Sequence, residues 1–318
     1  MPTTTDERLA ITTPCYSAVA MPGTGNIRIG TAGWSYKDWE GIVYPAGLKQ
    51  HPAEYLAQYF DVIEINTSFY GPIKPALGKL WCREVADENP EFKFTAKLYK
   101  AFTHAPGGAV QPTSAATLSA TEKDARDVKE GLDSLAEAGK LGALLMQFPI
   151  SFKNTPPNRD YLTELVRRFQ EYPRVVEVRH ASWNNEEILR SFAEKGVSFC
   201  NIDQPLLGRA IAPTTHATAP IGYVRLHGRN YEQWFEHEKP HDRYNYLYSE
   251  GELAKWKPRI EEIARRTEVT FVIANNHFEG KAAVNGLQLK HMITGRKVRA
   301  PATLVERYPE LREIAEIG

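Results

Sequence analysis

Apolar residues fall into short runs that alternate with longer amphipathic segments from residue 27 onward. Runs rich in β-branched residues predict strands, and apolar residues spaced three or four apart predict helices. The strand candidates are residues 27–33, 61–66, 91–97, 142–148, 174–179, 197–202, 221–227 and 269–276. The helix candidates include residues 52–60, 74–89, 121–139, 158–170, 184–195, 250–266 and 281–294. Ser249 and Glu252 form a capping box at the start of the candidate helix at residues 250–266.

This alternation predicts an α/β fold, a (β/α)₈ TIM-type barrel in a single domain over residues 27–318. The alternative is an open doubly wound sheet, which calls for a Gly-rich phosphate turn after the first strand. Gly30 and Gly33 are followed there by Trp34, so the barrel is favoured. Residues 203–220 are rich in Pro, Thr and Ala and predict an irregular connection in place of the sixth helix. Residues 1–26 show no period and predict a flexible N-terminal tail.

Polar residues stand where the interior of a barrel is normally apolar. Because side chains alternate along a strand, Ile63 and Ile65 face the helices while Glu64 and Asn66 face the barrel. By the same rule the inner face carries Lys97, Gln147, Glu177, Arg179, Arg225 and His227. The sixth strand ends at Asp203, and the eighth ends at Asn275 and Asn276. Most of these residues lie at the carboxyl ends of strands, where active sites of such barrels are built.

Buried charges must pair with one another or bind a metal. The catalytic candidates are therefore Glu64, Glu177, Asp203 and His227, with His180 as a second proton relay near neutral pH. Gly228 directly follows His227 and would permit a ligand to approach closely. The alternative is an ion-pair network that only fills the barrel. No H-E-x-x-H or H-x-H spacing is present, but a divalent metal held by Glu64, Glu177, Asp203 and His227 stays open.

Three cations on the inner face suit an anionic group such as phosphate or carboxylate, which arginine binds bidentately. Aromatic residues are dense at the expected mouth and suit stacking on a base or a sugar. The aromatics are Trp34, Tyr36, Trp39, Tyr44, Phe69, Tyr70 and Trp183, joined after strand seven by Tyr231, Trp234, Tyr244, Tyr246 and Tyr248. The substrate-binding candidates are Trp34, Tyr36, Asn66, Tyr70, Lys97, Gln147, Arg179, His180, Trp183, Arg225, Asn275 and Asn276. Trp81, at helical spacing among apolar neighbours, is assigned to the core.

Composition narrows the choice of function class. The 318 residues contain 39 Lys+Arg and 39 Asp+Glu, so a protein that grips polyanions through bulk charge is excluded. No run of about 18 apolar residues occurs, so no membrane-spanning segment is predicted. The three cysteines have no C-x-x-C spacing, so no structural zinc site is predicted. No basic segment precedes an apolar stretch at the N-terminus, so no signal peptide is predicted. A cytoplasmic protein is therefore expected.

From Ile27 to about Ile293 the chain resembles the YecE-like family, also called domain of unknown function 72. The motifs are Gly30-Thr31-x-Gly33-Trp34-Ser35-Tyr36 with Trp39 and Tyr44-Pro45, Glu64-Ile65-Asn66-x-Ser68-Phe69-Tyr70, Thr103-His104, Gln147-Phe148-Pro149, Glu177-x-Arg179-His180-x-Ser182-Trp183, Arg225-x-His227-Gly228, and Asn275-Asn276 with Asn285. The resemblance implies a TIM-type barrel and supplies no activity. Gly286 departs from the family pattern, where Ala usually follows this Asn.

The leading hypothesis is an enzyme acting on a phosphate-bearing small molecule or on nucleic acid, with phosphodiester hydrolysis or nucleic-acid processing as its chemistry. Lys97, Arg179 and Arg225 would bind the anion, Glu64 or Glu177 would act as base or metal ligand, and His227 would be the acid. One alternative is a carbohydrate-active enzyme, glycosidase-like with paired carboxylates or isomerase-like. Another is a non-catalytic barrel that binds a nucleotide or nucleic acid.

Overall fold

A computed structural model describes residues 26–106, 113–231 and 242–318 of the chain. Eight parallel strands form a closed barrel in sequence order, so the barrel prediction is confirmed. The strands are β1 (Ile27–Ala32), β2 (Val62–Ile65), β3 (Lys93–Lys97), β4 (Leu141–Gln147), β5 (Arg174–Glu177), β6 (Val197–Asp203), β7 (Ile221–Leu226) and β8 (Val269–Ala274). Each lies within one or two residues of its predicted bounds, with β5 and β8 ending two residues early.

The helices pack around this barrel. They are α1 (Pro52–Ala57), α2 (Pro75–Glu88), α3 (Glu122–Ala136), α4 (Pro156–Arg168), α5 (Glu186–Glu194), α6 (Glu250–Ala264), α7 (Lys281–Thr294) and α8 (Ala302–Arg307). No helix joins β6 to β7, which confirms the irregular connection. Among the described residues, no helix is long and apolar enough to cross a bilayer. The tail prediction for residues 1–26 rests on positions outside the described residues, apart from Asn26, and stays a prediction; Trp234 also lies outside them.

Strand register decides which side chains enter the barrel. Glu64 lies beside Thr95, and Gln147 lies beside Glu177, so these residues share the inner face. Leu226 and Val224 point outward instead and pack with Trp256 of α6 in an apolar cluster. The inner face therefore carries polar residues at its carboxyl end while the outer face is apolar, as the alternation predicts.

Asp203 does not face the barrel interior, although the sequence predicts a role for it there with Glu64 and Glu177. It is the last residue of β6 and lies beside Leu226, an outward-facing position. Cys200, three residues earlier on β6, does reach the interior, with Sγ 3.9 Å from a carboxylate oxygen of Glu177. Asp203 therefore lies on the helix side of the sheet, where its carboxylate accepts from Arg229 Nε at 3.0 and 3.1 Å.

The C-terminal segment supports the loop that follows β8. Two short strands, β9 (Val298–Ala300) and β10 (Ala315–Ile317), pair in parallel and flank α8. Tyr308 donates a hydrogen bond to the backbone oxygen of Glu279 at 2.7 Å. Glu279 has a φ of 51°, which is rare for a residue with a side chain. This hydrogen bond ties the C-terminal segment to the loop after β8.

Candidate functional site

A cleft of about 470 Å³ opens at the carboxyl end of the barrel. It lies between the segments that follow β1, β2 and β8 and the ends of β3 and β4. Its lining residues are Gly33, Trp34, Ser35, Tyr36, Asn66, Thr67, Phe69, Tyr70, Trp81, Lys97, Gln147, Tyr244, Asn275 and His277. This volume is in the range of small-molecule sites. Seven of the predicted substrate-binding residues thus line a single cleft.

Beneath the cleft lies a buried ion network centred on Arg225. Its guanidinium bridges both barrel carboxylates, with Nη2 at 2.7 Å from Glu64 Oε1 and Nη1 at 2.5 Å from Glu177 Oε2. All three side chains have no exposed surface. Tyr223, also on β7, donates to the second oxygen of Glu64 at 2.9 Å. Arg225 therefore braces the carboxylates and is not placed to touch a ligand.

Arg179 and His227 complete the network on the side of β5 and β7. Arg179 Nε donates to Glu177 Oε1 at 2.8 Å, and its Nη2 lies 3.2 Å from His227 Nε2. His227 is fully buried, whereas Arg179 keeps 15% of its side-chain surface exposed. Of these two residues, only Arg179 is reachable from solvent.

Three cleft residues connect the lining to the buried network. Lys97 Nζ lies 3.5 Å from Glu64 Oε1 and keeps 12% of its side chain exposed. Gln147 Oε1 accepts from Arg225 Nη1 at 2.9 Å. Asn275 Nδ2 lies 2.9 Å from His227 Nδ1. A ligand that touches this floor therefore contacts residues whose positions the network fixes.

The electrostatics of the network leave the floor positive. Burial favours a raised pKa for Glu177, but Arg225 and Arg179 outweigh it and hold the pKa well below its usual value. Burial, followed by the charge of Arg179, lowers the pKa of His227 to about 3, so the ring is neutral at pH 7. Burial and Arg225 lower the pKa of Lys97 to about 8, and the amine stays mostly protonated at pH 7. Lys97, Arg179 and Arg225 then face two carboxylates, which leaves one net positive charge among these described residues.

Aromatic rings form the walls of the cleft. Tyr36 stacks on His277 with ring centroids 4.1 Å apart, and Tyr244 lies 4.8 Å from the same imidazole. Tyr36 is fixed because its hydroxyl donates to Ala32 O at 2.5 Å and accepts from Asn66 Nδ2 at 3.0 Å. Gly33 allows this closure: its φ is +77°, and a Cβ there would lie 2.6 Å from Tyr36 Oη.

A second group of aromatic residues lines the cleft beside α2 and the segment after β2. Trp34 meets Trp81 edge-on with ring centroids 5.1 Å apart, and Phe69 meets Tyr70 edge-on at 5.3 Å. Tyr70 is 71% exposed and lies at the rim. Aromatic faces of this kind bind flat rings by stacking.

Four predicted site residues lie elsewhere. Trp183 is buried in the core, where its indole donates to Phe152 O at 2.7 Å. His180 caps a short 3₁₀ turn, since its Nδ1 accepts from Ser182 N at 3.1 Å. Asn276 is buried and donates to Tyr246 O and Asn285 Oδ1, which ties the segment after β7 to α7. Asp203 is the fourth, for the register reason given above.

The residues expected to ligate a metal do not fit one. Asp203 points away from Glu64 and Glu177, and Arg225 occupies the space between the two glutamates. Across residues 26–106, 113–231 and 242–318, no group of three or more His, Cys, Asp or Glu side chains is arranged to hold a metal ion. The described residues of this site therefore do not form a metal centre.

Sequence reasoning missed several lining residues. His277 follows β8 directly, after Asn275 and Asn276, so its position at a strand end was a usable signal. Trp81 belongs to the core as predicted, yet it also lines the cleft. Gly228 has another reason than ligand approach: its φ is +87°, and a Cβ there would lie 2.9 Å from Tyr246 Cβ.

Comparison with known proteins identifies the family. The model of the family "Protein of unknown function DUF72" matches residues 28–308. The chain belongs to the DUF72 family. YecE-like is another name for this family, so the resemblance is confirmed. This DUF72 protein is 28% identical over 278 residues to the UPF0759 protein YunF of Bacillus subtilis, which covers 84% of this chain and 94% of YunF.

Solved structures of DUF72 proteins share the fold. The one from Thermotoga maritima MSB8 is 33% identical, covers 84% of this chain and 99% of its own, and superposes with a TM-score of 0.69. The one from Enterococcus faecalis V583 is 25% identical, covers 84% of this chain and 95% of its own, and has a TM-score of 0.71. The family is described as one of unknown function, so membership supplies a fold and no reaction.

Proposed function

We propose that this DUF72 protein is an enzyme that binds a phosphate-bearing ligand with a flat ring, of the size of one nucleotide, and acts on its phosphoester group. The observation that carries the proposal is the surplus positive charge at the floor of an aromatic cleft. Lys97, which lines the cleft and keeps 12% of its side chain exposed, would hold the phosphate, and Arg179 would add its charge from the network beneath. The cleft volume of about 470 Å³ suits a mononucleotide or one extruded nucleotide.

The buried geometry changes the roles that sequence reasoning assigned. Glu64 and Glu177 have no exposed surface and do not line the cleft, so they serve to hold Arg225, Arg179 and Lys97 in place. His227 is neutral and equally buried, and it therefore lacks a proton to donate as an imidazolium. The same burial disfavours a glycosidase-like pair, because neither carboxylate reaches a substrate.

Lys97 is then the group that would supply a proton to the leaving oxygen. A general acid works best with a pKa near the working pH, and the pKa of Lys97 is lowered to about 8. In a hydrolysis, water would add to phosphorus, the bond from phosphorus to the leaving oxygen would break, and that oxygen would take the proton from Lys97. The attacking water would release a proton to solvent, from which Lys97 would be protonated again.

Variants of Lys97 test binding and turnover separately. Lys97→Met should weaken nucleotide binding, measured by calorimetry with adenosine 5′-monophosphate, by at least about tenfold, equivalent to about 1.4 kcal/mol. Lys97→Arg keeps the charge but cannot give up a proton, so binding should persist while hydrolysis of the methyl ester of adenosine 5′-monophosphate, whose alkoxide leaving group needs that proton, is lost. Lys93→Met is the matched control, because this lysine lies at the other end of β3 and donates to Gly139 O.

Each result points to one conclusion. Binding without cleavage by the unaltered protein would leave a non-catalytic nucleotide-binding barrel. No binding by the unaltered protein, or equal affinities for Lys97→Met and Lys93→Met, would refute the phosphate site.

A further inference from the structure

Cations and aromatic rings alternate from the floor of the cleft to its rim. Lys97 Nζ lies 5.9 Å from the centre of the Phe69 ring, and this ring meets Tyr70 edge-on with ring centroids 5.3 Å apart. Lys100 Nζ lies 5.5 Å from the centre of the Tyr70 ring. These four residues, called the rim track below, therefore form successive contacts that begin at the proposed phosphate site and end beyond the lining of the cleft.

The outer half of the rim track faces solvent. Tyr70 is 71% exposed, and Lys100 is also exposed. A cation that lies over an aromatic ring contributes little to folding when both groups are in water. Both side chains can be reached by a ligand that extends out of the cleft.

Two short turns hold the rim track in place. The turn after β2 is closed by Ser68, whose hydroxyl donates to Ile65 O at 2.8 Å. The turn after β3 is closed by His104 N, which donates to Lys100 O at 2.8 Å. The imidazole of His104 also meets the Phe69 ring edge-on, with ring centroids 4.9 Å apart. The two turns are thus joined before a ligand binds, and a preformed surface lowers the entropic cost of binding.

We infer that the rim track is a second subsite, which binds the next nucleotide of a short single strand whose first nucleotide occupies the cleft. This inference rests on the proposed function and extends its ligand from one nucleotide to a strand. Tyr70 would stack on the second base, and Lys100 would hold the phosphate that joins this base to the first nucleotide. Aromatic rings interleaved with cations are the arrangement by which proteins bind single strands with little regard to sequence.

Three ligands that differ by one group each test the subsite. Adenosine 5′-monophosphate carries one phosphate, adenosine 3′,5′-bisphosphate adds a second phosphate, and the 5′-phosphorylated dinucleotide pApA adds a second base. Calorimetric affinities at low salt should rise along this series, by about threefold for the second phosphate and about tenfold for the second base.

Variants of the two exposed residues assign each gain to its side chain. Tyr70→Ala should abolish the gain from the second base, whereas Tyr70→Phe should keep it, because stacking needs the ring and not the hydroxyl. Lys100→Met should abolish the gain from the second phosphate. Lys129→Met is the matched control, because this ammonium also lies over a ring, 5.7 Å from the centre of Phe169, but belongs to α3. It should leave both gains unchanged.

The outcomes separate this inference from the proposed function. Equal affinities of the unaltered protein for the three ligands would overturn the second subsite and leave the mononucleotide site standing. Gains that persist in both Tyr70→Ala and Lys100→Met would also overturn it, since other residues would then hold the second nucleotide. Failure of all three ligands to bind would refute the proposed function and this inference with it.

Discussion

At the scale of single residues, alternation along the strands assigned Glu64, Glu177 and Arg225 to the interior, and the structure places them there. Sequence reasoning also grouped Asp203 with these buried charges, but the register of β6 with β7 turns it outward. Contact between Arg225 and two carboxylates makes these residues a closed ionic unit instead of separate catalytic groups. What a residue can do at this site depends on whether it belongs to this unit or touches the cleft.

Breaking this unit should destabilise the protein strongly. Glu177→Gln removes the charge that Arg225 and Arg179 share, which leaves buried cations without compensation, at a cost of about 3–5 kcal/mol in the free energy of unfolding. Urea denaturation measures this cost. Glu164→Gln is the control, because Glu164 pairs with Arg167 at the surface and its loss should not be measurable. Equal midpoints for the two variants would contradict a structural role for Glu177.

At the scale of elements, local sequence signals predicted the start of a helix correctly where side chains bind the backbone. The capping box at the start of α6 is present, with Ser249 N donating to Glu252 Oε2 at 2.9 Å and Glu252 N donating back to Ser249 Oγ at 3.4 Å. In the folded chain Glu252 also makes tertiary contacts that no local sequence pattern predicts. Glu252 Oε1 also accepts from Arg229 and Tyr246, which anchors the segment after β7 to the head of α6.

Loss of this cap should be measurable on its own. Ser249→Ala removes the acceptor for the Glu252 amide and should lower the free energy of unfolding by about 1 kcal/mol. Ser191→Ala within α5 is the comparison, since its hydroxyl accepts from the side chain of Lys195 and caps no helix end. Thermal unfolding of both variants tests this prediction. A decrease in the unfolding midpoint of Ser191→Ala as large as that of Ser249→Ala would count against the cap.

At the scale of the whole molecule, burial shifts the pKa values of five histidines in one direction. The pKa values of His51, His104, His180, His216 and His227 are all lowered, with burial as the largest cause. The unfolded chain therefore binds protons at a pH where the folded barrel does not. Acid should favour unfolding before the carboxylates begin to titrate.

Stability should fall as the pH drops below 6.5. Between 6.5 and about 4 for His104, or about 3 for His227, the unfolded state holds a proton that the folded state lacks. Each residue then removes up to about 1.4 kcal/mol of stability per pH unit. Chemical denaturation from pH 7 to pH 4 measures the slope, and His104→Gln should reduce it. A flat profile over this range would mean that these histidines take up protons in the folded state.

The sequence by itself determined the barrel, the irregular connection after β6 and the polar character of the inner face. These follow from alternation along each strand and from the order of elements, which are local properties. Tertiary structure decided the rest. Closure of the barrel brought Arg225 between Glu64 and Glu177, turned Asp203 outward through the register with β7, and added His277 and Trp81 to the cleft. Charge pairing and solvent access depend on which strands become neighbours, and that geometry exists only in the folded chain.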